Sequence, residues 1–506
     1  MSRPGFMIEV DERTPALLTL NGGQLGLSKF GVGTRVVYAA DATASTDPVS
    51  LIDHAVEAPT SGPELGNLMA DSQRLTIVVL DSERPRPRMK FDVRRTIVER
   101  VLEMAAAQGV DDVSIVIAGG LNKRWNPVDM TRNLGDRVAT SFLPDGRIES
   151  HDITSEDLVE VGTVDDHPVR INRRVAESDL VVCVGVQFGR TPLRILAGSL
   201  ADVETQRRLG AVEADESFAK DVVDTIAGAV KTYAIQAVLG QPFLAGSLRF
   251  ASKREWEWSA RDKFSYAATR QLGHLPSWLS GVDKLHARPV ADYAVVDIVA
   301  GEPAPVFREA EQVWTSANAI EVQGQSDVLV TSVWAGSFDD GDPIGSPINA
   351  AHDALVRRAG SHLGTPFARD GGALIALHPL VPRFSNRRQS SAADFFAKVL
   401  PETTDPAEMG EAEQRACSDQ WYLDLYRKQF ADHPLRTFQT WYDVWKAAQR
   451  FTDIIWVGGN RRSADLFGHR AATTYADALE LASNSVGHQP SITYLRGPGL
   501  PLGDVR

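Results

Sequence analysis

Three stretches of the sequence place charged side chains directly after a short apolar run. They are DSERPRPR at 81–88, AGGLNKRW at 118–125 and QFGRTPLR at 187–194. Guanidinium and ammonium groups bind carboxylates and phosphates, and the prolines of the first stretch restrict its backbone. We predict an anion-binding crevice where the stretches meet. Its candidate binding residues are Asp81, Arg84, Asn122, Arg124, Arg190 and Arg194. Each stretch taken alone is also compatible with a solvated turn.

Three further side chains are candidates for acid–base catalysis. Glu83 and Lys123 lie within the charged stretches, and His352 follows the acidic run FDDGDP at 338–343. A carboxylate, an amine or an imidazole can transfer a proton when it is held beside a substrate. His352 is also compatible with a surface position on a helix. The acidic run is more typical of a turn than of a divalent-cation site, so we predict no metal ligand.

The elements that must position these residues alternate between strands and helices. Short runs rich in Val, Ile and Leu are typical of strands buried on both faces of a parallel sheet. They occur at 75–80, 113–118, 180–186, 294–299, 328–332, 373–377 and 453–457. Amphipathic stretches at 91–108 and 218–238 predict helices. The alternation predicts an α/β fold with doubly wound sheets, which bind ligands beyond the carboxyl ends of their strands.

The length of 506 residues suits two domains. We predict an N-terminal α/β domain at 1–285 and a C-terminal α/β domain at 286–506, with a cleft between them. A helical segment rich in Trp and Tyr, at about 382–450, is inserted in the second domain. We expect its rings to pack the segment, and a lid over a site is the alternative.

Composition excludes several classes of protein. The net charge of −13 provides no basic surface for nucleic acid or anionic lipid, so we expect neither as a partner. Two cysteines and the absence of an apolar leader in the first fifteen residues indicate a cytoplasmic protein. Cys183 lies among valines and is expected to be a buried structural residue.

The motifs together resemble the nickel-dependent lactate racemase family. The resemblance begins with HAVEAPTSGPEL at 54–65, and the strand that ends in DSERP matches the family pattern D-x-T-R-P with Glu83 in place of Thr. It continues through 113–124, 169–186, 218–240, 326–343 and 464–499. The resemblance implies two α/β domains with a site in the cleft between them. It also implies a cofactor contact at Asp81 and a contact to the substrate carboxylate at Arg84.

The residues that would carry the chemistry of that family differ in this sequence. In the family, a nickel-pincer nucleotide takes hydride from the α-carbon of a hydroxy acid, and two histidines act as bases. By the match, these histidines fall on Asn122 and close to Arg190, neither of which is a base near neutral pH. No histidine lies between positions 167 and 274 and no lysine between 123 and 220, where the nickel ligand and the covalent tether would lie. We therefore predict that the covalent nickel-pincer cofactor is not used, and leave the cofactor unassigned.

Three functional hypotheses follow. The favoured one is a lactate racemase-like isomerase that acts on a small anionic metabolite, such as a hydroxy acid or a sugar acid, without nickel. The second is a nickel-dependent racemase or epimerase with a rearranged site. The third is a non-catalytic protein that binds an anion in the same cleft.

Overall fold

The computed structural model describes residues 3–41, 47–82, 84–190, 193–273, 289–334, 345–385 and 387–506. Two features named above lie outside these residues, namely Glu83 and the acidic run at 338–343.

The strands of the described chain are, in order, β1 (Phe6–Glu9), β2 (Leu17–Asn21), β3 (Gln24–Ser28), β4 (Arg35–Tyr38), β5 (Arg74–Leu80), β6 (Arg88–Met89), β7 (Asp112–Ala118), β8 (Ile148–Ser150), β9 (Leu158–Val164), β10 (His167–Asn172), β11 (Leu180–Gln187), β12 (Thr232–Leu244), β13 (Val290–Gly301), β14 (Ala319–Val322), β15 (Ser326–Ser332), β16 (Ala368–Leu377), β17 (Phe451–Val457), β18 (Arg470–Ala472), β19 (Ile492–Leu495) and β20 (Leu502–Val505).

The α-helices are α1 (Pro48–Glu57), α2 (Leu65–Ala70), α3 (Val93–Ala107), α4 (Pro127–Leu134), α5 (Asp136–Phe142), α6 (Arg173–Ala176), α7 (Leu193–Leu200), α8 (Val203–Leu209), α9 (Glu216–Ala229), α10 (Ala260–Gly273), α11 (Pro303–Asn318), α12 (Pro347–His352), α13 (Ser390–Asp394), α14 (Gly410–Ser418), α15 (Gln420–Gln429), α16 (Pro434–Ala448), α17 (Arg461–Leu466) and α18 (Tyr475–Val486). Within the described ranges, every helix is too short or too polar to cross a bilayer.

The first sheet has the strand order β6-β13-β12-β11-β5-β7-β8. Strands β12, β11, β5, β7 and β8 are parallel neighbours, and α3 and α11 pack on the sheet. Apolar side chains such as Ile77, Val116 and Val182 are fully buried, as expected for strands covered on both faces. Cys183 is also buried in β11, where burial raises the thiol pKa to about 12, which confirms its structural role.

The direction expected for the run at 294–299 was wrong, because β13 pairs antiparallel with β12. An apolar run records burial on both faces, which a mixed sheet also provides, and it does not record strand direction. The helix expected at 218–238 also differs, since α9 ends at Ala229 and β12 begins at Thr232. Short apolar runs fit a buried strand and a buried helix equally well, and here pairing with β11 and β13 decides for the strand.

The second sheet has the order β1-β4-β19-β15-β16-β17-β18. Its last six strands in this order are parallel to one another, and β1 is antiparallel to β4. The predicted α/β fold with two wound sheets is confirmed. Residue 285 does not separate the two sheets, because β13 lies in the first sheet and the N-terminal strands β1 and β4 complete the edge of the second. Each sheet therefore contains strands from both sides of residue 285.

The segment predicted as a helical insertion contains α13 to α16. Most of its rings are buried: Tyr426 is 0% exposed and Trp441 2%, and the Trp441 indole donates to the Thr404 carbonyl at 2.9 Å. Tyr422 and Trp445 are half-buried, and Trp421 has 65% of its surface exposed. We call residues 382–450 the insertion below.

Candidate functional site

The carboxyl ends of three parallel strands meet at one edge of the first sheet. Strand β5 lies between β7 and β11, with Leu80 level with Ala118 and Val79 level with Val184. This topology brings the three charged stretches together, because parallel neighbours end at the same edge. Their side chains nevertheless point to different places.

Asp81 is the buried centre of this edge, with 1% of its surface exposed. Its Oδ2 accepts from Arg84 Nε at 2.7 Å and from Trp125 Nε1 at 2.5 Å, and its Oδ1 accepts from Arg94 Nη1 at 3.1 Å. The Asn122 side chain donates to the Asp81 carbonyl at 3.1 Å. Because its carboxylate oxygens accept from three protein side chains, Asp81 holds Arg84, Arg94 and Trp125 in place at the edge of the sheet.

Two pockets open next to Asp81. The cleft pocket, of about 170 Å³, lies between the first sheet and the insertion. Its polar lining includes Ser82, Asn122, Arg194, Gln206, Arg436 and Asp443. The basic pocket, of about 90 Å³, lies beside the loop 84–89 and helix α4. Its charged lining includes Arg84, Arg88, Arg94, Lys123, Asp129 and Arg132.

Glycines build one wall of the cleft pocket around the Gln206 carboxamide. Gly120 adopts a φ of +53°, and a Cβ there would lie 2.8 Å from Gln206 Nε2. A Cβ on Gly198 would lie 2.7 Å from Gln206 Oε1, and Gln206 Nε2 donates to the Gly198 carbonyl. A larger residue at either position would displace the amide, and the positive φ of Gly120 additionally favours glycine there. Gln439 of the insertion joins the wall by donating to the Gln206 carbonyl at 2.7 Å.

Asp443 connects the two walls of the cleft pocket. Its Oδ2 lies 3.4 Å from Arg194 Nη2, on the side of the first sheet, and 3.9 Å from His352 Nε2, in the second half of the chain. Arg194 keeps 41% of its side chain exposed, so its guanidinium can also reach a ligand in the pocket. His352 lies behind Asp443, on α12, and is not a surface residue with free access to solvent.

The His352 imidazole is uncharged at neutral pH. Burial lowers its pKa to about 4; the Asp443 carboxylate acts in the opposite direction, and the positive charges of Arg86 and Arg357 lower the pKa further. The shift keeps the imidazole in its proton-accepting form and also makes it a weaker base than an ordinary histidine.

The insertion is attached to the turn after β7 by direct hydrogen bonds. Asp432 accepts from the Lys123 amide at 2.8 Å and from Arg436 Nη1 at 2.5 Å, and the His433 amide donates to the Leu121 carbonyl at 2.9 Å. These contacts hold α16 over the sheet edge and fix Arg436 at the cleft pocket. The insertion is thus packed by its rings and also forms one wall of a pocket.

Lys123 and Asp129 form a buried ion pair in the basic pocket. Lys123 Nζ lies 2.9 Å from Asp129 Oδ2, and Arg132 Nη1 lies 3.1 Å from Asp129 Oδ1. Burial would raise the pKa of Asp129, but the charge and hydrogen bond of Lys123 outweigh it and lower the pKa. Asn126 and Asp129 cap the start of α4 reciprocally, which fixes the carboxylate on the first helical turn.

The predicted site residues are divided among several places. Asn122 and Arg194 line the cleft pocket, and Asp81, Arg84 and Lys123 line the basic pocket. Arg124, Arg190 and His352 line neither. Arg124 donates to the Ser150 carbonyl at 2.8 Å and to the Arg427 carbonyl at 3.2 Å, and Arg190 pairs with Glu311 at 2.9 Å on the surface. Sequence reasoning missed Gln206, Arg436 and Asp443 at the cleft pocket and Asp129 at the basic pocket.

The fold and the pockets define a two-sheet α/β protein with its candidate site at the carboxyl edge of a parallel sheet. Residues 31–188 match the family model of the lactate racemase N-terminal domain. The chain therefore contains a segment similar to the lactate racemase N-terminal domain, which covers about a third of its length.

Two solved structures are similar to the chain. The lactate racemase apoprotein from Thermoanaerobacterium thermosaccharolyticum matches with a TM-score of 0.63 and 14% identity, over 97% of this chain and 100% of that one. A protein from Thermotoga maritima matches with a TM-score of 0.47 and 12% identity, over 87% of this chain and 96% of that one. No curated protein sequence matches the chain.

The lining of the cleft pocket does not fit the covalent nickel-pincer cofactor of the nickel-dependent lactate racemases. Within the described lining, the side chains that carry donors are amides, hydroxyls, guanidinium groups and one carboxylate, without Lys, His or Cys. A covalent tether requires a nucleophilic amine, and imidazole is the protein ligand that suits nickel best in such a site. The described residues also contain no group of three or more His, Cys, Asp or Glu side chains arranged to hold a metal ion.

Proposed function

We propose that this chain is an isomerase-type enzyme that binds a small hydroxy-carboxylate or sugar-acid substrate in the cleft pocket, without a covalent nickel-pincer cofactor. The observation that supports this most strongly is the position of Asp443, 3.4 Å from Arg194 and 3.9 Å from His352. An anion-binding cation and a proton acceptor thus lie on either side of one carboxylate. The match of residues 31–188 to the lactate racemase N-terminal domain and the two-walled pocket are consistent with this assignment.

Each side chain has a defined part in the proposal. Arg194 binds the substrate carboxylate through its planar fork of donors. The Gln206 and Asn122 amides orient the hydroxyl groups. His352 lies behind Asp443 and outside the pocket lining, so it exchanges the transferred proton with the substrate through the Asp443 carboxylate. Asp443 orients His352. When the substrate is bound, Arg194 contacts both Asp443 and the substrate carboxylate. Lys123 has no part, because it lines the basic pocket.

The test measures binding and turnover separately. Purified protein is screened against D- and L-2-hydroxy acids and aldonic acids by thermal stabilisation, and each hit is then followed by chiral chromatography. We expect Arg194→Gln to weaken binding about tenfold or more, since a hydrogen bond to a charged group is lost. We expect His352→Gln to bind the same ligand and to lose turnover. Arg415→Gln is the control, because this arginine lies on the insertion with 70% of its side chain exposed.

Three results would contradict parts of the proposal. Full turnover in His352→Gln would remove His352 from the reaction. Ligand binding by the wild-type chain without turnover of any candidate would make it a binding protein. Nickel near one atom per chain with a covalent mass increment, after co-expression with pincer-forming enzymes, would show that the cofactor is used.

A further inference from the structure

The basic pocket is separate from the proposed substrate site, and we propose that it binds a phosphate group. The inference does not depend on the function proposed for the cleft pocket. It rests on the surroundings of Lys123, on the charge of the lining and on the way the surrounding carboxylates are held.

Lys123 is a buried ammonium with unused donors. Its side chain is 10% exposed and lines the pocket, and among the residues that the structure describes its Nζ donates to Asp129 alone. An ammonium carries three N–H donors, so two of them are left for a ligand or for water. A buried cation with so few partners is costly, and an oxyanion in the adjoining space would supply the missing acceptors.

The charges around the pocket favour a doubly negative ligand. Among the described lining residues there are five cations, Arg84, Arg88, Arg94, Lys123 and Arg132, and three carboxylates, Asp81, Asp92 and Asp129. The lining therefore carries an excess of two positive charges on a chain whose net charge is −13. A phosphate monoester carries a charge of about −1.5 to −2 near neutral pH, which matches that excess better than a single carboxylate does.

The three carboxylates pair with cations of the pocket, and Arg132 is a paired arginine that stays partly exposed. Asp92 accepts from Arg94 at 3.0 and 2.6 Å, and Asp81 accepts from the same side chain. Arg132 is tied to Asp129 at 3.1 Å but keeps 45% of its side chain exposed. Both side chains line the pocket, Lys123 as a buried and Arg132 as a partly exposed cation, so both can donate to the oxygens of one phosphate.

The test is calorimetric titration of the full chain with inorganic phosphate. We expect saturable binding of one phosphate per chain that weakens about tenfold or more in Lys123→Gln and measurably in Arg132→Gln. Arg137→Gln is the matched control, because this arginine follows on α5 with 75% of its side chain exposed and lies outside the pocket. Arg194→Gln should bind phosphate as the wild type does, which separates this site from the cleft pocket. Circular dichroism checks that each variant is folded, and the more exposed Arg132→Gln keeps the test valid if Lys123→Gln unfolds.

Two comparisons of ligands complete the test. Glycerol phosphate that binds as tightly as inorganic phosphate would support a site for the phosphate end of a larger molecule, and weaker binding would support a site for the free ion. Acetate that binds as tightly as phosphate would overturn the assignment of ligand class. The proposal is also wrong if the wild type binds no phosphate, or if Arg194→Gln abolishes binding while Lys123→Gln leaves it intact.

Discussion

The two pockets beside Asp81 are built in opposite ways. The basic pocket is lined by charged side chains that lie mainly between residues 81 and 133, and carboxylates hold its cations in place. The cleft pocket has glycines and amides along most of its polar lining, beside Arg194, Arg436 and Asp443, and its walls come from parts of the chain as distant as Ser82 and Asp443. Charge density therefore defines the first pocket, and backbone shape together with the docking of the insertion defines the second. Substitutions that act on both pockets, on one or on neither test this difference.

Asp81 supports both pockets, so its replacement should have the largest effect. Asp81→Asn removes a buried carboxylate that pairs with Arg94 and Arg84 and accepts from Trp125. Breaking a buried ion pair by removing one partner leaves an uncompensated charge, so we expect a loss of about 3 kcal/mol in the free energy of unfolding. Urea unfolding followed by tryptophan fluorescence measures it, and ligand titrations should show weaker binding in both pockets.

The matched control for this prediction is Asp112→Asn on the neighbouring strand. Asp112 also contacts two arginines, Arg74 and Arg174, but 47% of its side chain is exposed. Exposed ion pairs are screened by water, and we expect a loss below about 1 kcal/mol. Equal losses in the two variants would mean that Asp81 is not the common support of the two pockets.

Gly120 should affect the cleft pocket and leave the basic pocket unchanged. Gly120→Ala places a Cβ 2.8 Å from Gln206 Nε2 at a backbone φ of +53°. We expect a loss of roughly 1–2 kcal/mol from the left-handed conformation, together with weaker binding in the cleft pocket as Gln206 is displaced. Gly109→Ala is the control, since its φ is +75° and its Cβ would meet nothing within 4 Å. The control should show the loss of stability without the loss of binding, and phosphate titration should be unchanged in both.

The difference between the pockets also explains what the sequence could predict. The strands and their common edge follow from apolar runs and from the rule that parallel strands bind ligands at their carboxyl ends. Lys123 was found because it lies in a strand-end turn. Asp129, its partner, was missed although it lies only six residues after Lys123, in a capping sequence, Asn126 to Asp129, that marks the start of a helix.

The cleft pocket was harder to predict because its parts meet through tertiary contacts alone. Arg436 and Asp443 lie in a segment whose rings indicated packing, and nothing in their spacing connects them to Arg194. The hydrogen bonds of Asp432 and His433 to the turn after β7 make that connection. Contacts between segments some 300 residues apart depend on the docked surfaces, which periodicity and local motifs do not encode.

Arg190 tests the limit of the strand-end rule and should give the smallest effect. It follows β11 at the same edge, yet its guanidinium pairs with Glu311 of α11 at 2.9 Å and 57% of its side chain is exposed. Because exposed pairs contribute little, we expect Arg190→Gln to change the free energy of unfolding by less than about 1 kcal/mol and to leave binding in both pockets unchanged. The same urea unfolding and ligand titrations measure this. Weaker binding in either pocket would show that position at the strand end, and not the direction of the side chain, determines which residues bind the anion.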